Sequence, residues 1–134
     1  MNLGLVARDD DTAEFLDGAA RGKFLIQRCA ACGAHSAPQA RQCHACRATE
    51  LAWVPAAGAA RLVSWAVAHA RPAADGSVAT TVLAIAELAE GPWWWSQIAG
   101  VADPGQLSAG QPLRIGFEQP EGSEPIPVFR LAGT

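Results

Sequence analysis

No stretch of this 134-residue chain approaches the ~18 consecutive apolar residues of a membrane-crossing helix. The opening MNLGLVARDDD has neither a basic start nor an apolar run, so no export signal is expected. There is no P-loop, no G-x-G-x-x-G turn and no G-x-S-x-G elbow. Internal repeats and low-complexity linkers are also missing, apart from an Ala-rich patch at 56–60. Acids are absent from Gly18 to Thr49, and bases are absent from 72 to 113. With a formal charge of −3, the second gap argues against a groove that tracks nucleic-acid phosphates.

Half of the residues are apolar, enough for one ordinary core or two small fused modules. All four cysteines lie between Arg28 and Arg47, as Cys29-x-x-Cys32 and Cys43-x-x-Cys46 with ten residues between the pairs. Each pair can turn as a knuckle, and Gly33 supplies a residue that tolerates positive φ after the first. Two facing knuckles offer four thiolates in a tetrahedron, the closed structural arrangement of Zn²⁺. Adjacent C-x-x-C pairs are poor disulfide bridges, and a redox motif needs one pair beside a β-α-β unit. Zinc is the expectation, although a rubredoxin-type iron site uses the same ligands. Four protein ligands leave no open coordination position, so the metal is read as part of the fold and not as a Lewis acid. Thiols suited to metal, without an export signal, predict a reducing cytoplasm.

The acid-free segment holds Arg21, Lys23, Arg28, Arg41 and Arg47. Part of this charge can offset a Zn(Cys)₄ centre of formal charge about −2; the rest can face an anionic ligand or partner. His35 and His44 are expected outside the ligand set, because the cysteines already fill it.

Residues 1–10 read as an extended arm in which Leu3 and Leu5 give little anchorage. A short helix is expected from Asp11 or Thr12, with Asp11 and Glu14 at capping-box spacing and Gly22 as its stop. Its apolar face, Phe15, Leu16 and Ala19, must dock on its own domain or on a partner. A strand at 24–27 leads into the ribbon. Beyond Cys46 the pattern alternates with period two. Strands are expected at 51–54, 61–69, 80–88, 93–98, 113–117 and 126–131, separated by Gly-, Pro- and Asp-rich turns. Val63, Trp65, Val67 and His69 are placed on one face, and the strand at 80–88 reads as buried on both faces. Strands at this spacing predict a small antiparallel barrel of OB type. The fold class is therefore mainly β: an arm and short N-terminal helix over 1–22, a rubredoxin-like zinc ribbon over 23–49, and a five-stranded OB-fold barrel over 50–134.

Trp93, Trp94 and Trp95 are consecutive, so alternate rings leave a strand on opposite faces. A small barrel cannot easily bury all three, and an exposed Trp suits a protein interface or a stacking platform. The helix Phe15 joins Trp93, Trp94 and Trp95 as a candidate partner contact. Ser64 and His69 have opposite facing parity, which argues against a nucleophile–base pair, and no catalytic residue is assigned.

These segments together resemble the zinc-ribbon plus OB-fold family formerly called domain of unknown function thirty-five. The resemblance rests on Thr12 to Gly22, Phe24 to Gly33, Cys43-His-Ala-Cys46, Trp53, Gly58, Val63-Ser64, and Ala86-Glu87-Leu88-Ala-Glu90-Gly91-Pro92. Gly100, Ile115-Gly116-Phe117 and Pro127-Val128-Phe129 continue it. The family's Pro-Pro-Arg before the third cysteine is replaced by Pro38-Gln39-Ala40, with Arg41 one place later. The resemblance implies an accessory subunit of a thiolase-like acyl-CoA enzyme (a thiolase, aldolase or acyltransferase) or of a hot-dog-fold acyl-CoA hydratase, with catalysis in the partner. It makes Arg21, Lys23, Arg28 and Arg41 candidate contacts to acyl-CoA or another anion. The competing readings are an OB-type nucleic-acid module and a stand-alone acyl-CoA binder or enzyme.

Overall fold

The computed structural model describes residues 5–101 and 103–132. Helix α1 spans Ala13–Ala20 and buries Phe15, Leu16 and Ala19. Its expected capping box, Asp11 with Glu14, lies two residues too late. Thr12 is the N-cap without a side-chain bond into the helix. The reciprocal bonds join Asp9 and Thr12 instead: Thr12 N donates to Asp9 Oδ1 at 2.9 Å, and Asp9 N donates to Thr12 Oγ1 at 3.0 Å. Gly22, at φ +75°, ends the helical run. Gly18 lets α1 approach the sheet closely, since a Cβ there would stand 2.5 Å from Leu25 Cγ.

Strands β1 (Leu25–Cys29), β2 (His35–Ser36) and β3 (Leu51–Pro55) form an antiparallel sheet in the order β2-β1-β3. The strand expected at 51–54 therefore exists, but it belongs to the ribbon's sheet and not to the barrel. Ile26 pairs with Val54 and Cys29 with Leu51.

Strands β4 (Ala59–His69), β5 (Thr80–Leu88), β6 (Trp93–Gln97), β7 (Pro112–Glu118) and β8 (Ile126–Leu131) make a second sheet in the order β6-β5-β4-β7-β8. It curls until Ile98 and Phe129 form a parallel bridge, with Ala99 N donating to Phe129 O at 2.8 Å. The first strand lies at the centre, and the third and fifth close the curl in parallel. This is the five-stranded OB fold.

A register shift between Leu62 and Ser64 changes which parity of β4 faces inward. Ala60 and Leu62 are buried before it; Trp65 and Val67 are half-buried after it. Strand β5 is not buried on both faces. Val82, Ala84, Ala86 and Leu88 point into the core, while Leu83 is 49% exposed, because no described element of the chain covers the outer face there. The core runs through both sheets, with Ile26, Leu62, Leu88, Ile98, Leu113 and Phe129 fully buried. Among the described residues no helix is long and apolar enough to cross a membrane.

Candidate metal centre

The ribbon presents its ligands on two similar turns. In the first, Gly33 N donates to Cys29 O at 2.9 Å; in the second, Arg47 N donates to Cys43 O at 2.9 Å. Gly33 has φ +78°, as its position in the knuckle requires. Arg47 occupies the matching position with φ +64°, the one non-glycine residue described there with positive φ.

The turns bring Cys29, Cys32, Cys43 and Cys46 together, all four sulfurs within 4.8 Å of one another. Cys29 Sγ stands 3.6 Å from Cys46 Sγ, and Cys32 Sγ stands 3.5 Å from Cys43 Sγ. Those separations are far beyond the ~2.05 Å of a disulfide. They lie close to the edge of about 3.8 Å for a tetrahedron with Zn–S bonds of ~2.3 Å. Cys29 and Cys43 are buried, Cys32 and Cys46 exposed. Backbone amides aim at the sulfurs: the Cys46 amide foremost draws the Cys43 thiol down to about 6, and the Cys32 amide foremost lowers Cys29. The Ala48 amide favours the Cys46 thiolate, yet the sulfurs of Cys29 and Cys32 push that group up to about 12. A divalent cation removes this conflict by neutralising the cluster, so the donor set fits a structural zinc ion held by all four cysteines. Neither His35 nor His44 belongs to the cluster.

The basic residues singled out from the sequence do not converge on one spot. Arg28 lies over the first knuckle, where a Cβ on Gly33 would meet its Nη2 at 3.3 Å. Arg41 makes a 3.4 Å contact with Asp11, both side chains exposed. Lys23 lines a small cleft with Arg114, a base that the alternation of β7 points outward and that sequence reasoning passed over. Arg21 is exposed at the C-cap of α1.

The tryptophans divide as their parity requires. Trp93 and Trp95 are 52% and 72% exposed. Trp94 faces inward, with ring centroids 5.1 Å from Phe24 and 5.8 Å from Phe15. Phe15 packs edge-on against Phe24 at 5.4 Å and lies 6.4 Å from Trp53. The helix face therefore docks on its own chain: Phe15 and Trp94 join helix, ribbon and barrel, and of the four candidate partner contacts Trp93 and Trp95 stand outside. The same outer face carries Leu83, which sequence reasoning placed in the core.

Beside this aromatic junction lies a cleft of about 480 Å³ between α1, the loop before Cys43 and the start of β8, with Trp53, Trp94, Pro38 and Pro127 in its walls. Trp53 and Pro38 gave no functional signal in the sequence, because neither alternation nor spacing shows which residues meet across modules.

Two family profiles tile the chain: the rubredoxin-like zinc ribbon domain of ChsH2 over residues 16–52, and the C-terminal OB-fold domain of ChsH2 over 53–118. The solved structure of the Ltp2-ChsH2(DUF35) aldolase contains a chain 31% identical to this one, with TM-score 0.78, covering 94% of this chain and 98% of that one. A DUF35-family protein of unknown function from Sulfolobus solfataricus shares the fold at 12% identity, with TM-score 0.60, covering 91% of this chain and 85% of its own. A protein of Thermomonospora curvata, named probable enoyl-CoA hydratase alpha subunit, is 31% identical over 91% of this chain, which spans 38% of that protein's length. By its paired knuckles, its OB topology and these matches, the chain belongs to the DUF35 family of ChsH2-type zinc-ribbon and OB-fold proteins.

Proposed function

We propose that this chain is a non-catalytic accessory subunit that assembles with a thiolase-like acyl-CoA enzyme and supports that enzyme's fold or acyl-CoA site. The observation that carries the reading is the near end-to-end likeness to the ChsH2 component of a named aldolase assembly, 94% of this chain against 98% of that one. The chemistry of the chain agrees. Its sulfurs are committed to a closed metal site, which offers no position for substrate. Ser64 and His69 lie on opposite faces of β4 with the register shift upstream of both, so they form no nucleophile–base pair. Exposed Trp93 and Trp95 suit a protein interface, where large aromatics carry much of the binding energy.

A hot-dog-fold hydratase as partner is the second reading, favoured by the hydratase name of the Thermomonospora curvata relative. Co-expression with each enzyme class, followed by heteromer mass and acyl-CoA turnover with and without this chain, separates the two. A stable heteromer with a thiolase-like protein whose turnover depends on this chain is the expected result. A chain that stays alone and leaves both enzymes' rates unchanged overturns the proposal.

A further inference from the structure

We infer that the far half of β4, residues 65–69, is a docking edge for a second copy of this chain, which adds its own β4 antiparallel across a twofold axis at Val67. The register shift creates this edge. Before it, Leu62 N donates to Gln111 O at 2.9 Å and Gly110 N donates to Leu62 O at 2.7 Å, so Leu62 turns its main-chain groups away from β5. Beyond it the parity is reversed. Ala70 N donates to Ala79 O at 2.9 Å, and Ala68 pairs with Thr81 and Ala66 with Leu83 in the same ladder. Trp65, Val67 and His69 therefore point their N–H and C=O groups away from β5. Strand β7 pairs with β4 only at Ala59, Ala60 and Arg61. Among the described residues, none bonds to the main chain of Trp65, Val67 or His69 on the open side.

Folded proteins blunt such an edge with charge, proline or a covering element. Residues 62–70 contain no Asp, Glu, Lys, Arg or Pro. Ala66, Ala68 and His69 are exposed, and Trp65 and Val67 half-buried. Several features fit a second copy as the cover. The open residues alternate, so a copy centred on Val67 sets Trp65 opposite the second copy's His69 and Val67 opposite the second copy's Val67. Each of these pairs exchanges both of its main-chain bonds. An uncharged strand meets itself without like charges, and His69 falls opposite an indole, not another imidazole. On the outer face Ala66 falls opposite the second copy's Ala68, two small side chains that let the strands lie close. The ladder also ends of itself. Pro72 has no N–H, and Gly110 and Gln111 occupy the edge from Leu62 towards the start of β4. The pairing is isologous and closes as a dimer. Since β5 separates β4 from β6, Trp93 and Trp95 stay free for a partner enzyme, and the dimer does not rest on that reading.

Sedimentation of the zinc-loaded chain alone, from micromolar to millimolar concentration, should show the mass rise from 13.9 kDa to twice that value. Amide hydrogen exchange locates the contact. The Trp65, Val67 and His69 amides should gain at least about tenfold protection as the dimer fills, while those of Ala66 and Ala68, already bonded to β5, change little. Ala66→Lys combined with Ala68→Lys sets like charges opposite one another across the axis and should raise the dimer Kd at least about tenfold. Val67→Pro removes the central N–H, which no bond within the chain uses, and should leave a monomer. A monomer at every concentration, a dimer in which those amides exchange freely, or a dimer indifferent to both variants overturns the inference. Protection that arises only when a thiolase-like enzyme is added would assign the edge to that partner and overturn it too. If Val67→Pro unfolds, the lysine pair decides, since both of its positions are exposed.

Discussion

Arg8 holds Glu124 through two parallel hydrogen bonds, Nε to Oε2 and Nη2 to Oε1, each 2.9 Å, across 116 positions of sequence. The same guanidinium reaches Asp17 Oδ1 on α1 at 2.8 Å. Alongside, Val6 N donates to Ser123 Oγ and Glu124 N donates to Val6 O, both at 2.9 Å. The arm is thus pinned by backbone and charge where its apolar residues give little hold; Leu5 is 68% exposed. The Arg8 hydrogen bond, foremost, holds the Glu124 carboxyl below its ordinary value. A carboxylate lowered in the folded state stabilises above its unfolded pKa and loses that contribution as pH falls through the lowered value. Arm protection in hydrogen exchange should therefore be constant at neutral pH and fall on acidification below the ordinary carboxylate range. Arg8→Ala should abolish that dependence and leave the arm exchanging quickly at every pH. A wild-type arm whose protection ignores acid would contradict this.

Removing one buried thiolate should dismantle the ribbon. Cys43→Ser leaves three sulfurs around an ion that needs four good ligands, and β1, which carries both Cys29 and the fully buried Ile26, loses its anchor. Zinc content measured on the purified chain should fall from one ion towards none, and the thermal midpoint should fall by more than about 10 °C, a loss of several kcal/mol. Partner assembly should vanish with it. A metal-free variant that melts and assembles normally would overturn the structural role of the ion.

Arg47 offers the opposite change. Its matching residue in the first knuckle is glycine, and a side chain in the left-handed region costs roughly 1–2 kcal/mol. Glycine gives back part of that gain through its freer unfolded chain. Arg47→Gly should therefore stabilise by about 0.5–1 kcal/mol, read as a higher denaturant midpoint at unchanged slope. Lower stability would mean that the exposed guanidinium has a role which its lack of a described partner does not disclose.

The knuckles, the hairpin strands and the split of the three tryptophans were legible in the sequence because each follows from local spacing: two residues between ligands, period two along a strand, glycine where φ turns positive. What spacing does not carry is which element pairs with which. Leu51–Pro55 alternates like a barrel strand, yet β1 claims it for the ribbon. The register shift between Leu62 and Ser64 leaves no mark in composition, yet it decides the inward parity of β4. Apolar Leu83 reads as core because a lone sequence does not show which face of a strand its own chain covers; here the outer face stays 49% exposed at Leu83. The cleft escaped for the same reason: Phe15, Pro38, Trp53 and Trp94 are far apart in sequence and meet only when the modules pack.

The close contact of α1 with β1 gives a test of that packing. Leu25 is only 6% exposed, and a Cβ added at Gly18 would stand 2.5 Å from its side chain, so Leu25 has no solvent to retreat into. Gly18→Val should lift the helix and disturb the aromatic junction around Phe15, at about 2–3 kcal/mol of stability. Equilibrium denaturation reads the loss, and the near-ultraviolet dichroism of Trp53 and Trp94 should weaken with it. A neutral result would show that α1 adjusts freely on the ribbon.

The outer face of β5 and β6 calls for the converse experiment, in which stability holds and assembly fails. Trp95 pairs across the ladder with Ile85, and Trp93 pairs with Glu87, to whose Oε2 its indole N–H donates at 3.4 Å. With Leu83 they form an apolar strip whose exposed rings stand clear of the core. Trp95→Asp should leave stability within about 0.5 kcal/mol of the wild type, as surface substitutions do. If the strip is the docking face, a charge at its centre should weaken the heteromer by at least about 2 kcal/mol, roughly thirtyfold in dissociation constant. Phe15→Ala should do the reverse, lowering stability by about 3 kcal/mol through loss of a buried ring. Its effect on assembly should follow only from the fraction of chain left folded. Should Trp95→Asp assemble as tightly as the parent, the docking face lies elsewhere on the subunit and the exposed rings have another use.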